Sequence, residues 1–186
     1  ARAHERIVVG QPGTADWIAT HGFGPWLERF AAFTFQSFWG VFGWLGVFLD
    51  ARIYLLLFVV SLIAVAGAAG YLARLLARRD RRAPTERLAA MLLLLQCVLT
   101  VGLYVAYNTR FVQHQGRYLL VASPAIGTIF CLGLQEAGRR VGRALPPPIG
   151  PAPVGRAALL GFVVALWLLA HVALDRYVIP ALASTR

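Results

Sequence analysis

Residues 53–73 read IYLLLFVVSLIAVAGAAGYLA, and this stretch decides the fold class. It contains no charged side chain over its whole length. At about 1.5 Å of rise per residue, a helix of this length crosses a hydrocarbon core of about 30 Å. The stretch therefore predicts a transmembrane helix.

Three further stretches have the same character. Residues 88–107 are also uncharged, and residues 157–174 form a similar run. Residues 118–134 are shorter and contain Pro124, where we expect a kink. Together these runs predict an all-α, polytopic integral membrane protein whose residues 53–186 form a domain of four transmembrane helices.

The composition of the chain supports the same class. Of its 186 residues, 59% are hydrophobic and 14% are charged, whereas soluble domains are roughly 45–50% apolar and about 25% charged. Both a soluble globule and a disordered chain are therefore excluded. All 18 basic residues are arginines, and the net charge is +10. Because the arginines cluster between the apolar runs, they indicate membrane topology and anionic lipid rather than nucleic acid.

The arginines also predict an orientation. Six lie in the loop 74–87 and four in the loop 135–156, so the positive-inside rule places both loops in the cytoplasm. The N-terminal region, the loop 108–117 and the C-terminus are then extracytoplasmic. We expect a multi-pass protein of a bacterial inner membrane. The loop 135–156 also carries a proline cluster, which predicts an extended linker; these prolines are Pro146, Pro147, Pro148, Pro151 and Pro153.

Residues 1–52 form a separate extracytoplasmic segment that is rich in aromatic side chains from Trp26 to Phe48. Glycines at positions 22, 24, 40 and 43 interrupt it, and Trp favours the membrane interface. We interpret the segment as an interfacial helix followed by a re-entrant or hairpin-like turn. The alternative is a fifth, aromatic membrane span from Phe30 to Leu49. Because the chain begins at Ala1 without a signal sequence, we expect it to be processed or cut from a longer protein.

A few residues inside the spans are small or polar. In the first span, Ala66, Gly67 and Gly70 favour close helix packing, and Gln96 in the second favours a hydrogen bond between helices. His171 lies in the outer part of the fourth span. It is either a functional group or a neutral histidine bonded to a neighbouring helix.

The candidate binding residues lie at the start of the third span. Histidines and cysteines are scattered without HxxxH or CxxC spacing, so we expect neither a metal nor a cofactor. Arg117 stands at head-group level, where its guanidinium can hold a phosphate. Gly116 lets the backbone approach a ligand closely, while Gln115 and Tyr118 add hydrogen-bonding groups. These four residues form a candidate lipid-phosphate site. Alternatively, Arg117 snorkels, Tyr118 joins the aromatic belt and Gly116 starts the helix.

Two strings carry a resemblance to a known family: SFWGVFGW at residues 37–44 and QGRYLLVASPA at residues 115–125. Over residues 35–174 the chain resembles the C-terminal part of a bacterial family of polytopic membrane proteins. That family is grouped with the GT-C glycosyltransferases, alongside protein O-mannosyltransferases and aminoarabinose transferases. The resemblance implies an enzyme that moves a sugar from a polyprenyl-phosphate carrier to an acceptor outside the cytoplasm.

The chain departs from that family in two respects. It has fewer spans, and it lacks the outer loop after the first span in which such enzymes usually carry their catalytic acid. The resemblance thus implies a fragment without the catalytic acid, and the catalytic residues stay unknown. The alternative is a non-catalytic accessory subunit of a larger membrane complex, with other membrane protein chains as partners. Membrane lipids are partners in both cases, and nucleic acid in neither.

Overall fold

The computed structural model describes residues 12–42, 45–77, 83–146 and 150–183. This part of the chain is almost entirely helical. A two-stranded antiparallel hairpin follows the second helix, and a 3-10 helix (Gly116–Ala122) precedes the fifth. In chain order the helices and strands are α1 (Thr14–His21), α2 (Phe23–Trp39), β1 (Val41–Phe42), β2 (Val47–Phe48), α3 (Ala51–Ala77), α4 (Ala83–Asn108), α5 (Ser123–Ala144), α6 (Pro151–Ala173) and α7 (Ile179–Ala183).

Four helical stretches within the described residues are long and apolar enough to cross a membrane: Ala51–Ala77, Pro84–Asn108, Gly116–Ala144 and Pro151–Ala183. Only 6% to 22% of their most apolar windows is buried inside the protein. The remaining leucine and valine side chains face outwards, which a hydrocarbon surrounding accommodates and water does not. The protein is an all-α polytopic membrane protein, as the sequence predicts.

The helices extend beyond their apolar runs, and this corrects the prediction for residues 135–156. We expected a loop there, but α5 continues to Ala144 and α6 begins at Pro151. Pro151 and Pro153 belong to the first turn of α6, where a missing backbone N–H costs no hydrogen bond. Pro146 lies between the helices, and Pro147 and Pro148 fall outside the described residues.

Pro124 does not kink a continuous helix, contrary to expectation. It occupies the first turn of α5, directly after the 3-10 helix Gly116–Ala122. The change of helix type at Ser123 is therefore the break in this span, and the proline stands where a helix tolerates it.

Helices α3 and α5 cross with their backbones in contact. A Cβ atom on Gly67 would lie 2.7 Å from the carbonyl carbon of Gly133, and one on Gly133 would lie 3.0 Å from the backbone nitrogen of Ala68. The expected close packing at Gly67 is thus confirmed. Ala66 is exposed instead, and the fully buried Ala64 takes its place in the crossing.

A buried carboxylate joins α3 and α5 at the end of the bundle where α3 finishes. The Glu136 side chain is 1% exposed and forms an ion pair with Arg74 of α3. Its Oε1 lies 3.5 Å from Arg140 Nε and 3.7 Å from Arg143 Nη2. Gly70 leaves the space that the Arg140 guanidinium occupies. Sequence reasoning missed this cluster because it placed Glu136 in a loop.

The N-terminal segment forms a helix followed by a hairpin, as interpreted from the sequence. Helix α2 ends at Trp39, and β1 pairs with β2 so that Val41 faces Phe48. A continuous fifth span from Phe30 to Leu49 is therefore not formed. The Tyr54 hydroxyl donates to the Gly40 carbonyl at 2.7 Å and accepts the Leu49 N–H at 3.1 Å. These two bonds fix the hairpin to the start of α3.

Candidate functional site

The two strings that carry the family resemblance contact each other. The Gly116 N–H donates to Ser37 Oγ at 2.7 Å, although the two residues are 79 positions apart. A Cβ atom on Gly116 would lie 2.8 Å from the backbone nitrogen of Phe38 and would overlap the Thr34 carbonyl oxygen. The residue therefore has to be glycine for α2 and the 3-10 helix to meet this closely.

Helix α1 and the end of α4 hold the loop that leads into this contact. Thr14 Oγ1 donates to the Asn108 carbonyl at 2.8 Å, and the Thr14 N–H donates to the Arg110 carbonyl at 2.9 Å. Asn108 is 1% exposed, and its Oδ1 accepts the Gln113 N–H at 3.1 Å. Residues 109–115 thus have a defined path although they are not helical.

The four predicted binding residues lie together, but they do not point to one spot. Gln115 is half-buried and Gly116 is buried against α2, whereas Arg117 and Tyr118 are exposed. The Arg117 guanidinium carbon lies 5.7 Å from the centre of the Tyr118 ring. The Tyr118 hydroxyl accepts a hydrogen bond from Gln113 Nε2. Among the described residues, the structure gives Arg117 no carboxylate partner.

Two openings flank this segment. The first, which we call the polar cavity, has a volume of about 560 Å³. It is lined by Arg29, Ala32, Phe33, Gln36, Leu45, Phe48, Val112, Gln113, His114 and Gln115. The second, which we call the apolar groove, has a volume of about 490 Å³. It is lined by Thr100, Leu103, Tyr104, Tyr107, Gln113, Tyr118 and Val121. Gln113 belongs to both walls.

His114 is the residue of this site that sequence reasoning missed. It is 3% exposed and makes edge-on contacts with the rings of Trp26 and Phe30, at centroid distances of 5.5 Å and 5.3 Å. Neither ring nitrogen has a hydrogen-bond partner. Burial, and secondarily the charge of Arg29, lowers the pKa of His114 to about 4, so the imidazole is neutral near pH 7. The available signal was its place directly before Gln115.

His171 does not bond to a neighbouring helix. Its Nδ1 lies 2.8 Å from the carbonyl oxygen of Trp167 in the same helix, and the two rings are 4.2 Å apart. The side chain is exposed. Its contacts are therefore local to α6.

The described side chains of the site offer hydrogen-bonding and apolar groups for binding. No group of three or more metal-ligating side chains occurs within the described residues, and no acidic residue among them lines the polar cavity or the apolar groove. The polar cavity offers the Arg29 guanidinium, amides and a neutral imidazole, and the apolar groove offers hydroxyls and an apolar wall. The Arg117 guanidinium lies beside the Tyr118 ring. In comparisons with known proteins, no family model, no curated protein and no solved structure matches this chain.

Proposed function

We propose that this chain is the membrane-embedded part of a GT-C-like glycosyltransferase that uses a polyprenyl-phosphate-linked sugar. The observation that carries the proposal is the hydrogen bond between Ser37 and Gly116. It joins the two strings on which the family resemblance rests. Each string alone has an ordinary structural explanation. Their contact supports the proposal that they belong to one site, because a binding site is built from residues that meet in space.

The surroundings of the contact fit the parts of such a carrier. The apolar groove runs between α4 and the 3-10 helix and suits a segment of isoprenoid chain. Tyr118 lines the groove together with Gln113 of the loop 109–115, and the Arg117 guanidinium carbon lies 5.7 Å from the centre of the Tyr118 ring. A guanidinium presents a planar pair of donors to a phosphate, and a phenol adds a third donor. In the proposal, these two side chains hold the carrier phosphate.

The proposal places this site on the extracytoplasmic side of a bacterial inner membrane, with both chain termini on that side. Its support is the arginine distribution. Arg74, Arg140 and Arg143 cluster at one end of the bundle, and the Ser37–Gly116 contact lies towards the end where α3 begins. By the positive-inside rule, the arginine-rich end faces the cytoplasm.

The second candidate function is a non-catalytic accessory subunit. One observation favours it: no acid among the described residues lines either opening. In the enzyme proposal, the catalytic acid therefore comes from outside these residues or from another membrane protein chain. The two functions share the lipid-phosphate site and differ in whether sugar is transferred by a complex that contains this chain.

The test is binding of a polyprenyl phosphate to the full chain in nanodiscs of zwitterionic lipid. We expect Arg117→Ala to weaken binding about tenfold or more, and Arg117→Lys to weaken it measurably, because lysine lacks the planar fork. Arg52→Ala, at another exposed arginine near the start of α3, is the matched control and should bind as the wild type does. Equal binding by all four proteins would show that Arg117 only snorkels and would end the phosphate-site proposal.

A further inference from the structure

The wall of the polar cavity contains hydrogen-bonding atoms that the protein itself does not use. Both ring nitrogens of His114 and the Oε1 of Gln115 are buried without a hydrogen-bond partner, and both residues line the cavity. Native proteins pair nearly all buried polar atoms, because an unpaired one loses its water without replacement. The retained atoms therefore point to a ligand that pairs with them.

The balance of donors and acceptors identifies the chemistry of that ligand. A neutral His114 offers one N–H donor and one bare nitrogen acceptor, and Gln115 Oε1 is an acceptor. Gln36 contributes an amide with both functions, and Arg29 contributes donors only. A phosphate only accepts and would leave the acceptors unpaired. A hydroxyl group both donates and accepts, so a hydroxyl-rich ligand satisfies the wall.

The remaining residues of the wall fit a sugar and disfavour a positively charged ligand. Phe33 and Phe48 have ring centroids 5.9 Å apart and give an apolar surface for the C–H face of a pyranose. Arg29 is a cation, and no acidic residue among the described ones lines the cavity. A protonated amine placed there would meet a like charge without a compensating carboxylate.

We propose that the polar cavity binds the sugar head group of the carrier, and that this sugar is neutral or acidic rather than a protonated amino sugar. The identity of the carrier rests on the proposed function. The cavity itself is independent of the phosphate and is tested with free glycosides, which have none.

The probes are three matched methyl glycosides: the glucoside, the glucuronide and the glucosaminide. Each is titrated by NMR or calorimetry against the full chain in nanodiscs, at a pH where the amine is protonated. We expect the first two to bind and the glucosaminide to bind at least about tenfold more weakly. Failure of the glucoside and the glucuronide to bind, or equal binding of the glucosaminide, would overturn the proposal.

The variant His114→Phe separates binding from folding. It keeps a ring beside Trp26 and Phe30 but removes both unpaired nitrogens, so we expect an unchanged or raised melting temperature together with loss of glycoside binding. His21→Phe is the matched control, because His21 also stacks on a tryptophan, at 4.3 Å from Trp17, but does not line the cavity. Unchanged glycoside binding by His114→Phe would contradict the proposal.

Two further variants, one in the cavity wall and one outside it, test glycoside binding if His114→Phe folds poorly. Gln36→Leu removes an amide that lines the same cavity from α2 and should weaken glycoside binding even if His114→Phe folds poorly; wild-type binding by Gln36→Leu would count against the cavity. Arg52→Ala, at an exposed arginine that lines neither opening, should leave glycoside binding unchanged. If glycosides bind and polyprenyl phosphate does not, the proposed carrier is wrong and the proposal that the polar cavity binds a sugar is kept. If polyprenyl phosphate binds and glycosides do not, only the sugar-binding proposal is overturned.

Discussion

At the scale of single residues, the contact between α2 and the 3-10 helix depends on Gly116. The backbone of α2 passes so close that there is no space for a methyl group. The N–H of the same residue is used by Ser37, whose own hydroxyl donates to the Phe33 carbonyl. The contact of this glycine with α2 therefore fixes the position of the backbone directly before Arg117 and Tyr118, the next residues in the chain.

We expect Gly116→Ala to destabilise the protein by about 2 kcal/mol or more, because the new Cβ atom must push α2 and the 3-10 helix apart. Gly127→Ala in α5 is the matched control: a Cβ atom there meets nothing within 4 Å, and a helical Gly→Ala change is neutral or stabilising by up to about 1 kcal/mol. Unfolding in detergent measures both changes. Equal stability of the two variants would show that α2 shifts to accommodate the new methyl group without a loss of stability.

At the scale of helices, Glu136 joins α3 and α5 by ion pairs at the arginine-rich end of the bundle. The carboxylate is almost fully buried and has Arg74, Arg140 and Arg143 around it. The three arginine side chains are about half exposed to water, so the buried carboxylate is the member of the cluster that depends most on its partners. The α3–α5 crossing therefore depends on this acid as well as on Gly67.

Glu136→Gln is expected to lower the free energy of unfolding by about 1–3 kcal/mol, since it removes the charge from the hydrogen bond and ion pairs of this carboxylate while the three arginines stay about half exposed to water. Glu28→Gln, which changes an exposed acid of α2, should stay within about 0.5 kcal/mol of the wild type. The same unfolding assay compares the two. A small effect at Glu136 would mean that water or lipid compensates the arginines as well as the carboxylate does.

Hydrophobicity predicts the four spans and the glycines predict the break after α2, but neither predicts where α5 ends. Residues 135–144 contain four charged side chains and two glycines, which favour a loop locally. The helix persists because Gly138 lies against Gly155 of α6, with a would-be Cβ only 3.0 Å from its Cα, and because Glu136 pairs with Arg74. Such contacts are tertiary and leave no periodic signal in the sequence.

The sequence predicted part of the candidate site, but not the tertiary contacts that form it. Topology placed residues 37–44 and 115–118 on one side of the membrane, but only the structure shows that Ser37 and Gly116 touch. His114 had only its place directly before Gln115 as a signal, because the sequence does not show that both ring nitrogens are buried without a partner. Gln96 was expected to bond to another helix; it is exposed on α4, and the structure shows no partner for it among the described residues.

At the scale of the whole molecule, the arginines predict the orientation in the membrane. We expect a cysteine at Ala77, at the arginine-rich end of α3, to resist an impermeant reagent in intact cells until the membrane is permeabilised. A cysteine at Ala51, at the other end of the same helix, should react at once. Both positions are exposed. Cys97 and Cys131 are replaced by alanine in both variants, and a reversed labelling pattern would invert the topology.

The apolar groove is open to its surroundings. Leu103 and Val121, which both line it, are 73% and 77% exposed. An isoprenoid chain that leaves the bilayer for this groove exchanges one hydrocarbon environment for another, so the transfer yields no hydrophobic free energy. Chain length should then change partitioning into the groove very little. In the proposed function, selection among lipids therefore occurs at their polar ends, beside Arg117 and the polar cavity, and a carrier reaches the groove from within the bilayer.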